Sequence, residues 1–147
     1  MSKPKANTAS DTLASARRVI GIEATALAAM AERLGEPFAA AVETIAAIDG
    51  RVVVTGMGKS GQVCKKIAAT LSSTGTAAVF LHAAEAAHGD LGMFARGDVC
   101  LAVSNSGTTQ EILELLPAVR RLSLPLVAMT GGLDSPLAVE ADFVLDV

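Results

Sequence analysis

The sequence predicts an α/β protein: a doubly wound, five-stranded parallel sheet flanked by helices, with two extra N-terminal helices ahead of the first strand. Three observations lead there. From residue 52 onward, short apolar runs alternate with stretches of helical period, the pattern of repeated β-α-β units. The runs are continuously apolar, as in Val52-Val53-Val54, so each strand is covered on both faces. The Gly/Ser/Thr-rich turns at residues 56–61, 104–109 and 130–132 each follow a strand, where open parallel sheets carry their ligands.

Residues 1–9 lack periodicity and are expected to be flexible. From Ser10 a helical stripe of Leu13, Ala16, Ile20, Ala24, Leu27, Met30 and Leu34 appears. Ser10 reads as its N-cap, Asp11 as first-turn acid and Gly35 as its stop. Pro37 opens a second helix, with Phe38, Ala41, Val42, Ile45 and Ile48 expected inward and Gly50 closing it. Two helices before any strand exceed what the sheet requires, so this region is expected to make an oligomer contact.

The first strand is expected at residues 52–54, and a helix over about 60–73 with Val63, Ile67, Ala68 and Leu71 on its apolar face. Residues 77–81 read as the second strand, and 82–92 as polar, alanine-rich and irregular, with room for a helical turn. The third strand spans 99–103, followed by a helix over about 109–122. The fourth covers 124–129, with Pro125 near its start where a missing donor is tolerated. Ser135-Pro136 begins a short helix, and 143–147 form the fifth strand. Right-handed crossovers then suit the flavodoxin-like order 2-1-3-4-5, in which the first and third strands are neighbours across the switch point.

The length, 147 residues, fits one domain. A chain of this size buries roughly 68–70% of its unfolded surface, so it needs no disulfide or metal to fold. Apolar residues at 51% and charged residues at 18% exclude disorder. A net charge of −3 argues against a nucleic-acid partner, and 3% aromatics leave no stacking platform for single strands. No apolar run reaches the ~18 residues of a membrane span. The opening MSKPKANTAS has no apolar secretory core. Cys64 and Cys100 form no CxxC and read as reduced, buried thiols, so the expected location is cytoplasmic, with no membrane partner.

Gly56-Met57-Gly58-Lys59-Ser60-Gly61 is a GxGxxG between a strand and a helix. A dinucleotide site also wants an acid about 20 residues on, where this chain has Leu81-His82. A P-loop reading fails as well, because its first glycine falls on Val53. What survives is a turn that aims backbone N–H groups and Lys59 at a ligand, weighed against a solvated lysine on an ordinary turn.

Ser104-Asn105-Ser106-Gly107-Thr108-Thr109 supplies four hydroxyls in six residues, more than capping uses, and suits a phosphomonoester. Glu111 stands either in a capping box with Thr108 or as a carboxylate base at the rim of that site. As a base it would need an electrophile to polarise a carbonyl. The segment from His82 to Asp90 holds both histidines, His82 and His88, at no familiar metal spacing. They are better suited to proton transfer near sugar hydroxyls.

GMGKSG, SSTGT, EAAHGDLG and SNSGTTQE, in this order and spacing, resemble the sugar isomerase (SIS) domain, and within it the arabinose 5-phosphate isomerase branch. The resemblance covers roughly residues 10–147. It implies an aldose–ketose isomerase that interconverts D-ribulose 5-phosphate and D-arabinose 5-phosphate through a cis-enediol, without a cofactor, for Kdo and lipopolysaccharide synthesis. Carried over by motif position, Lys59, His88 and Glu111 would be catalytic, with either Glu111 or His88 moving the proton. Gly75, Thr76, His82, His88, Ser104, Asn105, Ser106, Thr108 and Thr109 would contact the phosphorylated sugar.

His82 would also be a position for inhibitory zinc. Family members are homotetramers with sites completed by neighbouring subunits. Relatives continue past the fifth strand into a further helix, a histidine bearing on catalysis and paired cystathionine-β-synthase (CBS) domains, so the SIS domain here is expected to be C-terminally incomplete, with no CBS domains. The rival readings are a non-catalytic sugar-phosphate sensor and another sugar-phosphate isomerase such as phosphoheptose isomerase.

Overall fold

A computed structural model describes residues 8–87 and 90–147. It forms two units, Met1–Leu34 and Gly35–Val147. Among the described residues no helix is long and apolar enough to cross a membrane.

The first unit is a helix, α1 (Ala9–Arg33). Thr8, not Ser10, is its N-cap. Thr8 Oγ1 accepts the Asp11 N–H at 3.2 Å, while the Asp11 carboxylate accepts the Thr8 N–H at 3.1 Å and hydroxyl at 2.7 Å. This reciprocal box outcompetes a cap at Ser10 because Asp11 stands three residues after Thr8, where its carboxylate can reach back. The Thr8 hydroxyl and N–H together hold the Asp11 carboxyl below its usual range. The predicted apolar stripe is present, yet α1 buries no residue.

The second unit opens with α2 (Glu36–Ala47), which has Pro37 in its first turn. There follow β1 (Val52–Gly56), α3 (Gly58–Ser73), β2 (Ala78–His82), α4 (Ala83–Ala87) and a 3-10 turn, Asp90–Met93. Then come β3 (Val99–Val103), α5 (Gln110–Leu113), α6 (Leu116–Arg121), β4 (Leu126–Thr130), α7 (Pro136–Glu140) and β5 (Phe143–Asp146). All strand pairings are parallel, in the order β2-β1-β3-β4-β5, as the crossover argument requires.

Alternate strand residues feed two apolar layers. Val53, Leu81, Cys100, Ala102, Leu126 and Ala128 pack with residues of α4 to α7, including Ile112, Val119 and Leu137. Val52, Val54, Val99, Leu101 and Val127 pack with Ala41 of α2 and Cys64 and Ala68 of α3. The sheet is therefore buried on both sides, which explains its continuously apolar strands.

Two helices depart from expectation. In α2 only Ala41 is buried, with Ile45 and Ile48 packed at the rim, whereas Phe38 and Val42 face outward. The helix lies along the edge strand β5, so a narrow line of its residues reaches the sheet. The helix predicted over 109–122 is split into α5 and α6. Pro117 has no N–H for the Leu113 carbonyl, and the chain tightens through Leu115 N–H to Ile112 O at 3.1 Å.

At the amino ends of the strands, the buried Asp98 carboxylate accepts Arg51 N–H at 3.0 Å and Ala95 N–H at 2.9 Å. The Arg51 guanidinium donates to Met93 O at 2.7 Å. This knot sets where β1 and β3 enter the sheet, and hence their register.

Candidate active site

The turn after β1 is shaped by contact between strand and helix. A Cβ on Gly56 would sit 2.7 Å from Cys64 Sγ, and one on Gly61 would sit 2.9 Å from Gly56 O. Gly58 adopts φ +53°, which a side chain would strain. The glycines of GxGxxG thus bring α3 down onto the end of β1, a role that calls for no dinucleotide. Cys64 Sγ donates to Thr55 O at 3.3 Å inside this contact, and burial pushes its thiol up to about 11. Lys59 follows in the first turn of α3, exposed and without an ion-pair partner among the described residues. Met57 supplies no side-chain cap, so the first N–H groups of this 16-residue helix are open to a ligand.

The loop after β3 is closed from within. Ser104, buried, shares a 2.8 Å hydrogen bond with Thr109 Oγ1, and its Oγ accepts Gly107 N–H at 3.1 Å. Ser106 Oγ accepts the Thr108 hydroxyl at 3.0 Å and the Thr108 N–H at 3.3 Å. Ser104 therefore shapes the loop, while Asn105, Ser106 and Thr108 are exposed. Because α5 has only four residues, donor groups rather than a helix dipole define this site.

Thr108 does not cap α5 in a box with Glu111. Thr109 is the N-cap, its hydroxyl bonded to Ser104 and making no capping bond, and the Glu111 carboxylate has no hydrogen-bond or ion-pair partner among the described residues. Glu111 is half-buried on the first turn past the loop.

Register joins these pieces. Gly56 of β1 is the partner of Val103 of β3. The Lys59 turn and the serine loop therefore leave the sheet from adjacent strand ends, about 5 Å apart across the ladder. Gly56 also pairs with His82, which ends β2 at the same edge. The His82 ring is half-buried, edge-on to Phe80 at 6.2 Å, with a buried Nδ1 that has no partner among the described residues. As a zinc ligand it stands alone: among the described residues no group of three His, Cys, Asp or Glu is placed to hold a metal. His88 lies outside the described residues.

Gly75 and Thr76 are not brought to this edge within the chain. They precede β2 and so lie at the amino ends of the strands, a full strand length from Lys59. Their local role is to stop α3: Thr76 N–H donates to Leu71 O at 2.9 Å and Gly75 N–H to Ser72 O at 3.3 Å, with Gly75 at φ +99°. That is a Schellman cap.

Sequence reasoning missed the segment after β4. Gly131 N–H donates to Asn105 O at 3.0 Å, Leu137 N–H donates to Gly107 O at 3.2 Å, and a Cβ on Gly107 would overlap Ser135 Oγ. The signal was the Thr-Gly-Gly turn at a strand's carboxyl end, legible as a turn but not as a buttress.

Fold and site together define a doubly wound α/β domain whose glycine-rich turn and serine loop meet at one switch point. The SIS domain family matches residues 45–147, and the chain belongs to that family. It is similar to the arabinose 5-phosphate isomerase KdsD of Pseudomonas aeruginosa, with 54% identity over 136 residues, 92% of this chain and 42% of the relative. The arabinose 5-phosphate isomerase GutQ of Salmonella typhimurium is 48% identical over 139 residues, 94% of this chain and 43% of the relative. Among solved structures, Escherichia coli CFT073 c3406 in complex with arabinose 5-phosphate superposes with a TM-score of 0.90 at 36% identity, covering 95% of this chain and 74% of that one. The chain spans about two fifths of the length of the curated relatives it matches.

Proposed function

We propose that this domain serves a D-arabinose 5-phosphate isomerase, which exchanges D-ribulose 5-phosphate and D-arabinose 5-phosphate. The observation that carries the reading is the Gly56–Val103 register, because it lays an amine-bearing turn beside a hydroxyl-rich loop at one switch point. The names of the curated relatives and the sugar phosphate bound in the structural neighbour support it. Phosphate is held by Ser106, Thr108 and Thr109 of the serine loop, and the sugar carbons extend toward Lys59.

In the ketose-to-aldose direction, Glu111 removes a proton from C1, and the C2 carbonyl becomes the oxyanion of an enediolate. Lys59 stabilises that charge. The proton returns at C2, while a hydroxyl proton moves from O1 to O2. A carboxylate is a weak base for a proton alpha to a carbonyl, so the ammonium's stabilisation of the enediolate is essential to the step. His88 is the second candidate for the proton transfer. In cells we place the protein in the cytoplasm as a homotetramer that feeds Kdo and lipopolysaccharide synthesis, with Gly75 and Thr76 reaching a site only from a neighbouring copy.

The test is to incubate the protein with D-ribulose 5-phosphate, without nicotinamide or added metal, and follow D-arabinose 5-phosphate by NMR. Equilibration is the expected result, with solvent deuterium entering at C1 or C2. Binding of the pentose phosphate without turnover would favour a sensor. Turnover of seven-carbon phosphosugars in its place would favour a phosphoheptose isomerase.

A further inference from the structure

The serine loop is held from behind by the segment that follows β4. Thr130 is fully buried at the end of that strand. Its hydroxyl donates to Asn105 O at 3.3 Å and accepts Gly132 N–H at 3.0 Å. Gly131 N–H adds a second bond to the same Asn105 carbonyl at 3.0 Å, and Leu137 N–H holds Gly107 O at 3.2 Å. The carbonyls on both sides of Ser106 are thus fixed by one neighbouring segment. A Cβ on Gly132 would lie 2.5 Å from Ser106 O, so the two backbones touch along the whole stretch from Asn105 to Gly107.

We propose that Thr130 is a positioning residue for phosphate binding: acting through Asn105 O and Gly132 N, it keeps the Asn105–Gly107 backbone in the shape that presents the Ser106 hydroxyl. This rests on the phosphosugar reading above. Uncharged donors bind an anion well only when their arrangement is set beforehand, since each donor left to order on binding subtracts from affinity. Thr130 touches neither Lys59 nor Glu111 in the hydrogen-bond network, so its effect belongs to binding and not to proton transfer.

The test compares Thr130→Val, Thr130→Ser and Gly132→Ala in the intact protein. Two quantities are read: the Kd for inorganic phosphate by calorimetry, and kcat and KM for D-ribulose 5-phosphate. Thr130→Val is expected to raise phosphate Kd and KM about tenfold, a change of about 1.4 kcal/mol, while kcat stays within about twofold. Thr130→Ser, which keeps the hydroxyl, is expected to restore both constants.

Gly132→Ala displaces the Ser106 carbonyl with the Thr130 hydroxyl intact, and it covers the case in which Thr130→Val fails to fold. It is expected to weaken phosphate by a similar factor. Unchanged phosphate Kd in either substituted protein, a fall in kcat with KM constant, or no phosphate binding by the unaltered protein would each overturn the proposal. A protein that binds phosphate yet isomerises no pentose phosphate refutes the isomerase reading, while the phosphate measurements still decide the role of Thr130.

Discussion

At the residue scale the decisive property of Glu111 is that nothing among the described residues occupies its carboxylate, although it is half-buried. The capping box that the sequence allowed at Thr108 is not formed, because α5 starts one residue later, with Thr109 as its N-cap. Glu111→Gln is therefore expected to lower kcat by about two to four orders of magnitude, the usual range for a lost general base. Its unfolding free energy should stay within about 0.5 kcal/mol of the parent, as for a side chain with no bond to lose. A fall in melting temperature with kcat preserved would return Glu111 to a structural role. The thiols make a second prediction. Burial pushes Cys64 from its ordinary 9.0 to about 11, and Cys100 to about 12. Both protons are held more tightly folded than unfolded, so the contribution is fully present below pH 9 and is lost as pH rises toward 11–12. Urea midpoints should fall between pH 8 and pH 10.5, and less steeply in Cys100→Ala. Both thiols should resist a thiol reagent at pH 8 until the protein unfolds.

At the element scale, the strands were legible because each holds a run of at least three apolar residues, and their order because right-handed crossovers suit 2-1-3-4-5. The turns were legible because Gly, Ser and Thr gather at their carboxyl ends. What escaped was tertiary. Pro117 stood in plain view, yet the amphipathic pattern continues through it, so α5 and α6 read as one helix. Gly75 and Thr76 are ligand contacts by motif, and within one copy they stand at the amino end of β2, where they cap α3. The β4 turn could not be seen to brace the serine loop without the fold. Asp98 is the clearest case of a hidden role: one carboxylate, 2% exposed, ties the starts of β1 and β3 through Arg51 and Ala95. Asp98→Ala leaves those N–H groups without their acceptor and is expected to cost roughly 2–4 kcal/mol by urea denaturation. Because the knot sets the β1–β3 register, phosphate affinity should fall with stability. A loss below about 0.5 kcal/mol, the range of an ordinary surface change, would deny it that role.

For the whole molecule, the site residues of β1, β2 and β3 belong to the sheet unit, and α1 forms a unit of its own. A helix of 25 residues that buries no side chain is marginal in water, since helices gain most of their stability from a covered apolar face. Its stripe is regular: Leu13, Ile20 and Leu27 recur every seven residues, with Leu34 at the C-cap, and are 57%, 65%, 62% and 53% exposed. A seven-residue repeat keeps one seam facing a partner helix. The homotetramer proposed above would supply the same helix of another copy as that partner. Closed symmetric assemblies use one surface on every subunit, so each substitution acts more than once per contact. Burying a Leu or Ile contributes about 1.5–3 kcal/mol, and a glutamate in its place also introduces a charge that must be desolvated. Ile20→Glu with Leu27→Glu should therefore weaken association at least about a hundredfold, taking each lost side chain at about 1.5 kcal/mol. Light scattering on a size-exclusion column should then show a smaller species at micromolar concentration. Phosphate binding, if complete within one copy, should survive the change, whereas turnover should fall if residues such as Gly75 and Thr76 act across copies. An unchanged mass in the doubly substituted protein would mean that the stripe is not an assembly seam.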